Sequence, residues 1–169
     1  YYRDISNIYD YKDFAALTLN SHLETELLPS TGRAYGLELM IEKSKNGWTG
    51  MLAYTLSKTE IKNKKERLGS LVNNGDWYAA SYDQRHNASL AINRQLGRNG
   101  FLSMNIIYKS GRPFTAVETN YNFNGIAVPV YSDRNEFNIP NYFRVDVGLG
   151  LNSVISKIDD KFTLSFYNL

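Results

Sequence analysis

The chain has 169 residues, with 19 Lys and Arg against 17 Asp and Glu, a formal net charge of +2. That near balance points to no nucleic-acid or polyanion partner, and the lack of cysteine excludes a disulfide framework, a thiol nucleophile and a Cys-ligated zinc. Aromatic residues make up 14% of the chain, 13 of them Tyr; a ring with a polar tip suits a membrane–water boundary and equally a Tyr-rich soluble β-sandwich.

No apolar run approaches the roughly 20 residues of a transmembrane helix. Tyr1-Tyr2-Arg3-Asp4 lacks the basic start and apolar run of a signal peptide, so an export signal would lie upstream. Helical periodicity is weak throughout, and two-residue alternation recurs. Tyr1–Tyr11 reads as a strand with poor alternation. Arg33–Lys43 is the clearest strand, with Tyr35, Leu37, Leu39 and Ile41 on one face and Ala34, Gly36, Glu38, Met40 and Glu42 on the other. Asn46-Gly47 then gives a hairpin signal. The return strand, Trp48–Thr59, sets Trp48, Leu52, Tyr54 and Leu56 against Thr49, Thr55, Ser57 and Thr59.

The pattern repeats over Arg85–Leu96, Phe101–Thr115, Tyr142–Leu151 and Lys161–Leu169, giving about seven strands in all. Connections alternate in length: short at 44–47, 97–100 and 155–160, long and polar at 12–32, 60–83 and 117–141. A soluble sandwich has no reason to put its long loops at one end. An outer-membrane barrel does, with short periplasmic turns and long extracellular loops. On that reading Lys64 and Tyr131 are cell-exposed, whereas Asn46, Asn99 and Asp159 face the periplasm. Leu37, Leu39, Leu52, Leu90, Ile106, Val147 and Leu164 point to lipid; Glu38, Thr55, Asn93, Asn105 and Asp146 point to the lumen.

Few residues invite chemistry. Asp83, Arg85 and His86 sit together in sequence, but without a positioned partner for the histidine they read as a salt-bridged strand end at a rim; Arg144 and Asp146 read as rim residues too. The two histidines, His22 and His86, lie far apart with no metal-site spacing. No phosphate loop or nucleophile elbow is present. The basic run Lys62–Arg67 reads as a solvated loop, with lipopolysaccharide phosphates as its alternative contact. Trp77, Tyr78 and Tyr82 in one long loop, and Tyr121, Phe123 and Tyr131 in another, are the candidate ligand-binding residues, or else interface anchors.

Six strings carry a family resemblance. They are Gly32-Arg33-Ala34-Tyr35-Gly36-Leu37-Glu38-Leu39, the run Trp48–Thr59 ending Tyr54-Thr55-Leu56-Ser57-Lys58-Thr59, and Tyr82-Asp83-Gln84-Arg85-His86. There follow Tyr108-Lys109-Ser110-Gly111-Arg112-Pro113-Phe114-Thr115, Arg134-Asn135 through Pro140-Asn141-Tyr142-Phe143-Arg144-Val145-Asp146, and Phe166-Tyr167-Asn168-Leu169. In this order and spacing they cover nearly the whole chain, which resembles the C-terminal part of TonB-dependent outer-membrane transporters in the style of the Bacteroidota. Ala116-Val117 departs from the glycan importers, which often carry a proline after the matching threonine.

The resemblance implies an all-β, antiparallel transmembrane barrel of about 22 strands around a plug. Residues 1–169 would be a partial barrel lacking the plug domain and the final strand or strands, with unpaired sheet edges. It implies a bacterial outer-membrane location, no enzymatic role and no cofactor. The implied function is TonB-energised import of a siderophore, cobalamin, oligosaccharide or peptide. The implied partners are outer-membrane lipid, lipopolysaccharide, a TonB-type coupler acting through an N-terminal region outside this chain, and a surface lipoprotein; nucleic acid is not among them. The rivals are a passive porin or adhesin-type barrel and a soluble carbohydrate-binding sandwich.

Overall fold

The computed structural model describes residues 1–64, 71–155 and 158–169. The strands in chain order are β1 (Tyr2–Tyr11), β2 (Leu27–Lys45), β3 (Trp48–Asn63), β4 (Tyr78–Ala79), β5 (His86–Leu96), β6 (Gly100–Lys109), β7 (Pro113–Phe114), β8 (Val117–Phe123), β9 (Ile126–Tyr131), β10 (Phe137–Asn138), β11 (Tyr142–Ile155) and β12 (Ile158–Phe166), with two short 3-10 turns at Leu23–Glu26 and Val72–Gly75. The fold is all-β and antiparallel. The main sheet has the order β1-β2-β3-β5-β6-β11-β12, with β4 beside β3. It is open, with β1 and β12 at its two ends.

The chain divides into two compact units. One comprises residues 37–56, 85–110 and 141–169. It is a single layer, and its register fixes which side chains share a face, because directly paired residues project to the same side. One row runs Leu52–Leu90–Ile106–Val145 and the next Gly50–Ile92–Met104–Val147–Phe166. Toward the long connections comes Tyr54–Ala88–Tyr108–Phe143, and toward the short turns Trp48–Arg94–Leu102–Leu149–Leu164. The opposite face carries Thr49–Asn93–Ser103–Gly148–Ser165 and Met51–Ala91–Asn105–Asp146. The sheet is therefore apolar on one side and mostly polar on the other, as the alternation predicts. Its apolar face is uncovered: Leu39, Leu102, Phe143, Leu149, Leu151 and Leu164 are all exposed.

The other unit comprises residues 1–36, 57–84 and 111–140. Here lie all the buried apolar side chains among the described residues, Val72, Tyr78, Ala80 and Pro113, beside buried Glu26, Ser30, Glu60, Asn63 and Asp83. Its interior is thus largely polar and is held by hydrogen bonds rather than by an apolar core. β1 pairs with the first half of β2, from Tyr2↔Tyr35 to Tyr11↔Leu27, with one extra residue in β1 between Ile5 and Ile8. Asn7 stands there at φ 58°. This bulge shifts the alternation of β1 by one, which is why its sequence pattern reads poorly.

Several expected boundaries change. β2 begins at Leu27 and β3 ends at Asn63, so both strands extend into what the sequence marks as polar connections. Phe101–Thr115 is not one strand. It breaks between Lys109 and Pro113, where Gly111 packs against the Ile139 backbone so closely that a Cβ would overlap the carbonyl. The segment 117–141 holds the β8–β9 hairpin, turning on Asn124 (φ 49°) and Gly125 (φ 84°). The last strand ends at Phe166, leaving Tyr167–Leu169 outside it. Of the predicted basic run, Lys65, Glu66 and Arg67 lie outside the described residues, as do residues 156–157 of the third short turn and the Asp159 side chain.

Candidate functional site

The long-connection unit is organised by a chain of buried polar contacts. The Asn63 side-chain amide donates to the Ser30 hydroxyl (2.9 Å), and the Tyr78 hydroxyl lies 3.3 Å from Asn63 Oδ1 and 2.6 Å from Asp10 Oδ2. Burial, reinforced by the hydrogen bond to Asp10, pushes the Tyr78 hydroxyl well above the usual tyrosine range, so it remains a donor. Asp10 is shared with Arg134, whose Nη1 reaches Asp10 Oδ2 (3.2 Å) and the Tyr11 carbonyl (2.6 Å), while Nη2 meets Asp13 (2.8 Å). The planar guanidinium, with five donors in a fixed fork, suits this three-way contact as a lysine would not. The Arg134 backbone is gripped in turn: its N–H donates to Asn73 Oδ1 (2.8 Å) and its carbonyl accepts from Asn73 Nδ2 (3.1 Å). Asn135 Nδ2 donates to the Ala79 carbonyl at 2.7 Å.

This scaffold carries two adjoining depressions. The larger, of about 620 Å³, sets the rings of Tyr9, Tyr11, Phe14 and Tyr82 around Asp10, Lys12, Arg134 and Asn135. The smaller, of about 440 Å³, lies between Phe14, Tyr131, Asn73 and Arg134. Phe14 borders both, edge-on to Tyr131 with ring centroids 6.0 Å apart. Tyr82 is 62% exposed and Phe14 83%, so their faces are available to a ligand. Apolar ring faces beside fixed polar groups can hold a ligand that offers both surfaces.

The structure distributes the six predicted ligand-binding residues unevenly. Tyr82 and Tyr131 border the depressions. Tyr78 is buried in the polar chain that holds them in place. Trp77 lies 4.3 Å beneath the Arg33 guanidinium, which also pairs with Glu60 at 2.8 Å. Burial pushes the Glu60 carboxyl up, but its contacts with Lys58 and Arg33 outweigh that and hold it below the usual range. Tyr121 and Phe123 stand exposed on β8 and border neither depression. Tyr9, Tyr11, Phe14, Asp10 and Arg134 were not among the sequence candidates. The Tyr9-Asp10-Tyr11 run and its spacing to Phe14 are visible in the chain, but nothing local shows that Arg134 reaches them.

The predicted rim residues divide as well. Buried Asp83 accepts the Thr59 backbone N–H at 2.7 Å. His86 Nδ1 lies 2.9 Å from the Tyr54 hydroxyl, and the His86 N–H donates to the Ser110 hydroxyl. Arg85 is exposed. Arg144 and Asp146, two apart on β11, form an ion pair at 2.8 Å on the polar face. Asp146 also accepts the Asn168 N–H (3.1 Å), and Arg144 lies 5.7 Å from the Tyr167 ring centroid, so together they dock the C-terminal residues. Among the described residues, no three His, Cys, Asp or Glu side chains gather as a metal ion would need.

Architecture and site together define an antiparallel sheet protein with one uncovered apolar face and a separate aromatic-lined, polar-anchored surface. No family model, curated protein or solved structure matches the chain.

Proposed function

We propose that this chain is part of the wall of a bacterial outer-membrane β-barrel that imports a scarce nutrient, with the aromatic depressions on the outer side meeting the cargo. The carrying observation is the single-layered sheet whose Leu52–Leu90–Ile106–Val145 row and its neighbours lie on one uncovered face. In water that face has nothing to bury against, and so extended a patch is unfavourable for a soluble monomer. In a bilayer it is the surface hydrocarbon requires, and the polar face lines a lumen. The Tyr54–Tyr108–Phe143 row at one end and Trp48 at the other match the aromatic girdles that flank such a band. Two-residue and three-residue turns at 46–47 and 97–99 contrast with connections of more than ten residues at the other strand ends, as in barrels with short periplasmic turns.

The six strings quoted above favour active import over passive diffusion. On that reading a TonB-type coupler supplies energy through a region outside this chain, the cargo is a siderophore, cobalamin, oligosaccharide or peptide, and the protein is a transporter rather than an enzyme. Lipid and lipopolysaccharide surround it, and a surface lipoprotein is a further partner.

Single cysteines at Lys64, Tyr131, Asn46 and Asn99 in the full-length protein, probed on intact cells with an impermeant thiol label, test this. Lys64 and Tyr131 react and Asn46 and Asn99 do not until the envelope is opened. Labelling of Asn46 but not Lys64 on intact cells overturns the orientation, and equal labelling of all four overturns the membrane reading. Uptake that persists after the proton-motive force is collapsed would assign the barrel to the passive class instead.

A further inference from the structure

Among the described residues of the single-layered unit, the apolar face bears three cations, and they lie about one turn. Lys43 and Lys45 follow Leu37, Leu39 and Ile41 in alternate positions along β2, and Arg94 is in direct register with Trp48. Lys43, Lys45, Trp48, Ile41, Leu52 and Ile92 border one depression of about 470 Å³ at the Asn46–Gly47 turn. Its floor is Gly50. A Cβ there would meet the Ala91 carbonyl at 3.5 Å and Ile92 Cγ1 at 4.0 Å, both ordinary contacts, and the residue has no positive φ. Backbone geometry therefore does not demand glycine at this position; what its lack of a side chain provides is an open notch between apolar walls.

Arg94 is held beside the notch by two of the residues that border it, Trp48 and Asn46. Its guanidinium lies 4.7 Å over the Trp48 ring, and Nη1 donates to the Asn46 carbonyl at 2.9 Å, leaving its other N–H groups free to donate elsewhere. Among the described residues, none of Lys43, Lys45 and Arg94 pairs with a carboxylate. An apolar-walled depression beside three unneutralised cations complements a molecule with an apolar tail and an anionic head.

We propose that this notch binds an anionic phospholipid, with an acyl segment over Gly50 between Trp48, Leu52 and Ile92 and the phosphate on Lys43, Lys45 and Arg94. The inference rests on the membrane reading of the sheet and specifies which lipid that face selects. A zwitterionic lipid offers the same tail but no net charge to three cations. Lysines that merely extend toward the aqueous boundary would keep their attraction for an anionic lipid whether or not the notch is open.

Trp48 fluorescence of the full-length protein in phosphatidylcholine vesicles reports on the site, taking the difference from Trp48→Phe. The vesicles carry brominated phosphatidylglycerol or the same mole fraction of brominated phosphatidylcholine. Brominated phosphatidylglycerol quenches Trp48 at a lower mole fraction. Lys43→Gln and Lys45→Gln each raise the fraction needed for half-quenching about fivefold, the worth of one basic residue near an anionic surface. Both lysines are exposed, so these variants assemble normally. Gly50→Leu fills the notch and abolishes the preference. Equal quenching by the two lipids, or a preference that survives Gly50→Leu, overturns the proposal while leaving the membrane reading standing. Absence of quenching by either overturns the membrane reading itself.

Discussion

Phe14 holds its backbone at φ 57° with its ring 83% exposed. A bulky residue in the left-handed region stores of order 1–3 kcal/mol, and here that strain presents a ring to two depressions at once. Phe14→Gly relieves the strain and removes the ring, so the melting temperature in detergent is expected to hold or rise while cargo affinity falls by a few-fold to about tenfold, the range of one aromatic contact. A fall in stability without loss of binding would make Phe14 a packing residue only. Glu26 supports a second prediction. Its hydrogen-bonded contact with Lys12 (3.1 Å), followed by the Ala16 N–H (3.0 Å), holds its carboxyl below the usual range. A carboxyl with a lowered folded pKa stabilises at pH values above its unfolded pKa of about 4.3 and loses that contribution as pH falls through the folded value. Hydrogen exchange at the Ala16 amide should therefore show protection at neutral pH that fades on acidification below about 4.3. Glu26→Gln should leave the protection of that amide, taken relative to its intrinsic exchange rate, insensitive to pH. Protection unchanged by acid in the parent protein would remove Glu26 from this role.

At the scale of strands, the two faces make opposite demands. Ile106 lies in the apolar row and Asn105, one residue away, on the polar face beside Asp146. Arg at a lipid-facing midplane costs about 2–4 kcal/mol, so Ile106→Arg should impair folding of the full-length barrel into lipid by about that amount and Asn105→Arg by far less. Equal damage in a vesicle-folding titration would contradict the assigned pleat. Strand existence and facing in the single-layered unit were legible because alternation survives from Trp48 to Leu56, His86 to Leu96 and Tyr142 to Leu151, broken only by single residues such as Met51 and Arg94. Three features were hidden for physical reasons. The bulge at Asn7 changes the parity of β1 mid-strand. The break at Gly111 depends on the distant Ile139 carbonyl. The β8–β9 hairpin does carry its signal, Asn124-Gly125, but Val117-Glu118-Thr119-Asn120 and Ala127-Val128-Pro129-Val130 alternate weakly beside it.

For the molecule as a whole, the uncovered face predicts how the isolated chain behaves. With Leu149, Leu151, Phe162, Leu164 and Phe166 exposed together, the chain in water should associate, and sedimentation velocity should show a single monomer only when detergent is added. A monodisperse, cooperatively melting monomer without detergent would favour the soluble-sandwich rival. The ligand-facing surface was less legible than the wall because its parts come from distant segments. Tyr82 and Tyr131 were identifiable as aromatic loop residues, but Arg134 lies more than 120 residues from both Asp10 and Asp13 and meets them only through the fold. Alternation is a local property that a sequence displays directly; convergence of three long connections on one arginine is not.

The turn at Asn46 (φ 53°) and Gly47 (φ 72°) has a consequence for the time course of assembly. Both residues adopt the left-handed conformation of the tight hairpin turn whose twist matches its flanking strands, so β2 and β3 can zip from a two-residue nucleus, as β5 and β6 can from residues 97–99. Pairing β6 with β11 instead closes a connection of more than thirty residues, and the entropy of that closure must be met before any rung of the ladder rewards it. Hairpins would then form first and join edge to edge afterwards. Gly47→Val, which forbids the turn, should slow appearance of the folded species far more than Gly125→Val, whose hairpin no later strand waits for.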